Sequence, residues 1–146
     1  MKISIVIPAH QEEKRIGRTL AAYTAYFKDK QQEGIETEFL VVLNGWRDNT
    51  RAVVEEIKKQ EPNIVVIDIP DAGKGIAIKK GFSDAPTREN DLIGFVDADM
   101  ATEPQYFYEL ITNMSGYDGV IASRYMPGAQ VTPPRPPLKE WGRRIV

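Results

Sequence analysis

The sequence contains no cysteine and a single histidine, His10. Disulfides and thiolate metal sites are therefore excluded, and the absence of cysteine fits a reducing compartment. No apolar run approaches the roughly 20 residues that a membrane-spanning helix needs. The N-terminal Met1-Lys2-Ile3-Ser4-Ile5-Val6-Ile7-Pro8 is too short in apolar character for a secretory leader and meets charge soon after. Net charge is only −2, so no basic field points to nucleic acid, and nucleic-acid partners are not expected. What remains is an ordinary globular composition: 42% hydrophobic and 27% charged residues over 146 positions. That length suits one domain with a real core. The expectation is a cytoplasmic protein, with a peripheral place at the cytoplasmic membrane face as the further option.

Short apolar runs and amphipathic stretches alternate along the chain. Residues 2–7 read as a buried strand ended by Pro8. Ile16, Leu20, Tyr23 and Phe27 fall at helical spacing and define one apolar face. Further strands are expected at 39–43, 64–67, 92–96 and 119–122, with helices between them carrying Val53, Val54 and Ile57, then Ile76 and Ala77, then Phe107, Leu110, Ile111 and Met114. Asp48 or Asn49 is expected to cap the second helix. Such alternation predicts an α/β fold, a mostly parallel sheet with helices on both faces. Ligands in such sheets lie beyond the carboxyl ends of the strands. The informative residues are then Pro8 to Glu13, Asn44 to Asp48, Pro70 to Gly75, Asp97 to Asp99, and Ser123 onward.

Three of these segments carry chemistry. Asp97-Ala98-Asp99 closes the fourth strand, and residues two apart on an extended chain share a face. Two carboxylates there suit a hard divalent cation whose shell phosphate oxygens complete; the plainer reading is a pair of acidic residues near a helix start. Asp71-Ala72-Gly73-Lys74-Gly75 lets backbone approach a ligand and offers helix amides and Lys74 to a phosphate; the plainer reading is a turn with a surface lysine. Its spacing is not that of a P-loop, and no glycine-rich dinucleotide fingerprint follows the first strand. Asn44-Gly45-Trp46-Arg47-Asp48-Asn49-Thr50 can present an amide or carboxylate to a base or ribose, although a capped turn explains it as well.

In order, these segments resemble the family 2 glycosyltransferases of GT-A fold, and most of all the branch of dolichyl-phosphate mannose and glucose synthases. The matching segments are Ile5-Val6-Ile7-Pro8-Ala9-His10-Gln11-Glu12-Glu13, the stretch 44–50, Gly73-Lys74-Gly75, Asp97-Ala98-Asp99, and Ala122-Ser123-Arg124-Tyr125. The resemblance implies a Rossmann-like domain over residues 1–126. Residues 127–146, with five prolines in 127–137, form a proline-rich loop and the start of an acceptor-side segment, in a chain expected to be truncated relative to the family. It implies a UDP- or GDP-sugar donor and Mg²⁺ or Mn²⁺. Pro8, Ala9 and Glu12 would line the nucleotide pocket, Asn44 and Asp48 would sit near the base, and Gly73 and Lys74 near the nucleotide. Asp97 would contact ribose or metal-bound water, Asp99 would ligate the metal with Asp97 as the second candidate ligand, and Asp97, Asp99 and Arg124 would form the catalytic set. Ser123, Arg124, Arg143 and Arg144 would face the sugar or acceptor.

The sequence departs from the family at His10 and Gln11, which replace Tyr and Asn, at Asn44, where Asp is usual, and at Trp46 and Arg47, which would narrow the pocket or change its preference. His10 reads as a structural replacement for an aromatic. Family 2 enzymes invert at the anomeric carbon. No general base is evident after Asp99, and an anionic lipid phosphate needs none, so a polyprenyl (dolichyl) phosphate acceptor at a membrane surface is expected. Leu138, Trp141 and Ile145 would share one side of a helix, either docked on the sheet or lying on a membrane. The competing functions are a sugar nucleotidyltransferase, which the acidic segment after the first strand disfavours, and a non-catalytic nucleotide-sugar-binding module.

Overall fold

The computed structural model describes residues 1–123. The chain divides into two compact units, Met1–Glu109 and Leu110–Val146. In the first unit the elements alternate as β1 (Lys2–Ala9), α1 (Ile16–Lys30), β2 (Glu36–Asn44), α2 (Thr50–Lys58), β3 (Ile64–Ile69), α3 (Lys74–Asp84) and β4 (Leu92–Phe95). Helix α4 (Pro104–Thr112) follows. Short 3₁₀ turns at Gln31–Glu33 and Ala85–Arg88 close α1 and α3.

The four strands form one parallel sheet in the order β3-β2-β1-β4. The chain steps outward from β1 to β3, then returns across the sheet to place β4 on the other side of β1. Strand β1 is therefore internal, and Ile3 through Ala9 are all buried. This explains a first strand that is apolar from Ile5 through Ala9 rather than alternating.

Side-chain alternation assigns a cover to each face. Val6, Leu40 and Val42 share one face, packed with Ala77 and Ala85 and flanked by Val65, Ile67, Ile69 and Ile93. Here α3 lies close against β1, because Gly81 meets Val6 directly. On the other face Phe39 meets Tyr23 and Phe27 of α1 at 6.5 Å between ring centroids. Phe107 of α4 joins them, 6.3 Å from each of those α1 rings, and its ring fills the space that a side chain at Gly94 of β4 would need. Each such aromatic pair contributes about 0.5–1.5 kcal/mol beyond its burial. The apolar face expected for α1 is borne out: Ile16, Leu20, Tyr23 and Phe27 are fully buried.

Of the two capping candidates for α2 the structure selects Asp48, and one strand expectation changes. Asn49 occupies the N-cap position of α2 but makes no side-chain cap bond. Asp48 caps instead: its Oδ1 accepts the Thr50 N–H at 3.1 Å and the Thr50 hydroxyl at 2.6 Å, and its Oδ2 accepts the Glu13 N–H at 3.2 Å. The strand expected at 119–122 is not formed. An apolar run becomes a strand only when a neighbour takes its backbone bonds and a layer covers it, and Ile121 is 83% exposed. The compositional boundary expected after residue 126, and the helix expected near Leu138, Trp141 and Ile145, lie outside the described residues.

Gly81→Ala should destabilise by about 1–3 kcal/mol through overpacking against Val6, reversing the usual gain of alanine in a helix. Gly75→Ala, which meets nothing within 4 Å, should instead stabilise by about 0.5–1 kcal/mol; urea unfolding of both variants checks the contrast. Burial raises the Asp48 carboxyl, but the bonds from Thr50 and Glu13 outweigh it and hold it below its ordinary value of 3.8. Its contribution is whole above that pH and is lost as pH falls through the lower folded value. Asp48→Ala should cost about 1–2 kcal/mol at neutral pH and show a flatter loss of stability below pH 4 than wild type in acid titrations of the unfolding midpoint.

Candidate active site

The reversal of strand order around β1 opens a crevice beyond the carboxyl ends of the strands, where α/β sheets bind ligands. Pro8, His10, Glu12, Asn44, Lys74, Asp97, Ala98 and Asp99 line a cleft there of about 230 Å³. They come from the ends of β1, β2 and β4 and the start of α3. Residues some 90 positions apart in sequence thus meet because the strands that deliver them are parallel neighbours.

The loop bearing the two aspartates is held from α1. The buried Thr19 hydroxyl donates to the Ala98 carbonyl at 2.7 Å, and the Tyr23 hydroxyl donates to the Thr102 carbonyl at 2.9 Å. Burial, with the Asp97 charge as the second cause, pushes the Tyr23 phenol well above its ordinary value, so it stays a neutral donor. Asp99 is exposed, and its Oδ1 accepts the Ala101 N–H at 2.9 Å. The chain turns at Ala98 and Asp99 rather than running on extended, and both carboxylates still reach the cleft. Met100 adopts a φ of 62° and Gln11 a φ of 53°. Left-handed backbone at non-glycine residues costs about 1 kcal/mol or more. Both residues sit in the loops that bring Asp97, Asp99, His10 and Glu12 together.

Opposite, Lys74 forms an ion pair with Asp97 Oδ1 and lies 5.8 Å from the centroid of the Phe95 ring. Asn44 is buried, with both ends of its side-chain amide engaged. Its Oδ1 accepts the Gly73 N–H at 3.0 Å and its Nδ2 donates to the Val42 carbonyl at 3.4 Å. Asn44 thereby ties the end of β2 to the loop that opens α3. Its carbonyl accepts a bond from His10 Nδ1 at 2.7 Å. A carbonyl cannot donate, so Nδ1 carries the proton and Nε2 is left as the other functional atom of that ring.

The residues expected from sequence divide accordingly. Pro8, Glu12, Asn44, Lys74, Asp97 and Asp99 meet at the cleft. Glu12 does so while paired with Arg15, Nε to Oε2 at 2.7 Å. Ala9 is fully buried and is not among the lining residues. Asp48 holds the start of α2, and Gly73 contributes its N–H to Asn44. Trp46 donates to Asp68 at 3.1 Å, beside Arg51, rather than narrowing the cleft. Ser123 lies in the second unit, half-buried in a segment without regular structure. Arg124, Arg143 and Arg144 lie outside the described residues. Sequence reading missed His10 as a cleft residue and missed Thr19 and Tyr23 as supports. His10 was legible from its place directly after β1; the two α1 hydroxyls had no signal beyond polar groups on an apolar helix face.

Thr19→Val keeps the shape of the side chain but strands the Ala98 carbonyl. It should cost about 1–3 kcal/mol, measurable by urea denaturation.

Comparison with known proteins gives concordant results. Residues 4–145 match the family described as Glycosyl transferase family 2. A dolichyl-phosphate beta-glucosyltransferase of Trichomonas vaginalis is 32% identical over 148 residues, covering 94% of this chain and 43% of its own length. An undecaprenyl-phosphate 4-deoxy-4-formamido-L-arabinose transferase of Proteus mirabilis is 33% identical over 126 residues, covering 84% of this chain and 36% of its own. The chain thus spans well under half the length of these curated relatives. Among solved structures, the mannosyltransferase PcManGT of Pyrobaculum calidifontis, in complex with GDP-Man and Mn²⁺, superposes with a TM-score of 0.63 at 17% identity, covering 77% of this chain and 32% of that one. At that identity the likeness supports the GT-A fold alone. The family match takes in every residue of the cleft, and this chain belongs to the family 2 glycosyltransferases.

Proposed function

We propose that the cleft is the donor site of a metal-dependent, inverting glycosyltransferase that takes a UDP- or GDP-sugar and passes the sugar to a polyprenyl phosphate. The observation that carries this reading is the meeting of Asp97, Asp99 and Lys74 in one crevice at the strand-order reversal.

The donor set suits Mg²⁺ or Mn²⁺. Asp97 and Asp99 offer hard carboxylate oxygens, and among the described residues no group of three His, Cys, Asp or Glu side chains could hold a metal ion by itself. Two carboxylates leave room in the shell for diphosphate oxygens and water. A cation held there would neutralise charge developing on the departing diphosphate.

The chain's own residues supply the rest. Lys74 brings a cation to the phosphates, and Pro8 and His10 give the cleft a wall from β1. Thr19 and Tyr23 fix the aspartate loop, so little reorganisation is needed when charge develops. A phosphate acceptor is already anionic at neutral pH and needs no proton removed. Two curated relatives bear the names of dolichyl-phosphate and undecaprenyl-phosphate transferases, which supports this class of acceptor. Membrane contact would then be peripheral for the described residues, since no helix among them is long and apolar enough to cross a bilayer.

Calorimetric titration of UDP and GDP, with and without Mn²⁺, tests the reading. One nucleotide should bind in a metal-dependent way, and Asp99→Ala should weaken that binding by at least about tenfold, the scale of a lost charged contact. Equal binding by wild type and Asp99→Ala, or binding indifferent to Mn²⁺, would sink the donor-site assignment.

A further inference from the structure

Lys74 occupies an electrostatically awkward position. It is the first residue of α3, preceded by Gly73 at the N-cap, where the helix dipole disfavours a cation. No acidic residue stands in that first turn to offset it. Its partner is instead Asp97, across the cleft on the loop after β4. The ammonium therefore sits on the very carboxylate that the donor-site reading assigns to a divalent cation. The pair is partly open to water, with side-chain exposures of 55% and 38%. Such a pair is weak and readily exchanged.

We propose that Lys74 is a resident counter-ion for Asp97 and leaves it for the donor's diphosphate only when a divalent cation arrives to take its place. The inference rests on the donor-site reading above. A bare cation must displace Lys74 and leave its ammonium without a partner. A bare diphosphate must approach Asp97 and Asp99, two carboxylates of like charge. The chelate of cation and diphosphate satisfies both at once, since the cation takes Asp97 and the phosphate takes Lys74. Cation and nucleotide are thereby coupled through one side chain, and by linkage each tightens the other equally. The metal-free cleft is kept from binding stray cations, and binding as a chelate is favoured over metal first.

Binding of Mn²⁺ alone, followed by the electron paramagnetic resonance signal of the free ion, tests this on wild type, Lys74→Met, Lys74→Arg and Asp97→Asn. Methionine keeps much of the aliphatic stem and suits a helix, and circular dichroism confirms that each variant is folded. Lys74→Met should bind bare Mn²⁺ about two- to fivefold more tightly, the scale of a partly exposed ion pair. The same variant should bind UDP or GDP at saturating Mn²⁺ about tenfold more weakly, the scale of a lost charge-assisted bond. Lys74→Arg should stay near wild type in the first measurement, and Asp97→Asn should lose Mn²⁺ affinity. Opposite signs for the two effects of Lys74→Met support the exchange. Bare Mn²⁺ binding that Lys74→Met leaves unchanged or weakens overturns the exchange while leaving the donor site standing, as does nucleotide binding unaffected by it. No Mn²⁺ binding by any variant, with or without nucleotide, overturns both.

Discussion

Strand β1 is hydrogen-bonded on both sides and covered on both faces, and every functional side chain depends on that. Because β2 and β3 lie to one side of it and β4 to the other, the loops after β1 and β4 diverge and leave a crevice. The same burial requires an apolar strand with neighbours in register, Ile5 beside Phe39 on one side and Gly94 on the other. A polar insertion in β1 would not merely cost stability. It would disturb the shared edge from which Pro8, His10 and Glu12 on one loop and Asp97 and Asp99 on the other are hung.

The second constraint is the polar support running through an otherwise apolar interface. Helix α1 packs Tyr23 and Phe27 on Phe39, yet it turns the hydroxyls of Thr19 and Tyr23 to carbonyls of the aspartate loop. Asn44 does the same between the end of β2 and Gly73. These bonds give partners to the carbonyls of Ala98 and Thr102 and to the N–H of Gly73, and they tie the loops to the sheet's edge. The left-handed backbone at Gln11 and Met100 is held within that frame. Positioning by buried side chains, rather than by loop sequence alone, lets two carboxylates and a lysine face one another with little further adjustment.

Much of this was legible in the residues. Apolar runs at 39–43 and 64–67 and the helical spacing of Ile16, Leu20, Tyr23 and Phe27 have one economical solution, an alternating α/β sheet, because burial of an apolar face is local information. Asp97 and Asp99 after a buried strand, and Lys74 after a glycine, likewise announce a cleft once the parallel sheet is accepted. The run at 119–122 looked equally strand-like and is not a strand, since pairing depends on a neighbour that a run of apolar residues cannot specify. His10 looked like a replaced aromatic, and its bond to the Asn44 carbonyl was invisible because the two residues are 34 positions apart.

By itself, then, the sequence determined the order of elements, the parallel sheet, the carboxylates and the lysine at strand and helix ends, and the family to which the chain belongs. The elements, the sheet and the placement of these groups follow from periodicity, side-chain chemistry and local spacing, and the family from the resemblance of the ordered motifs. Only the tertiary structure decided how those groups divide their labour. It committed Asn44 and Asp48 to holding backbone, turned Trp46 to Asp68, buried Ala9, brought His10 into the cleft and set Lys74 on Asp97. The reason is physical: a hydrogen bond or an ion pair depends on separations of about 3 Å between groups that only the packing of distant elements can bring together.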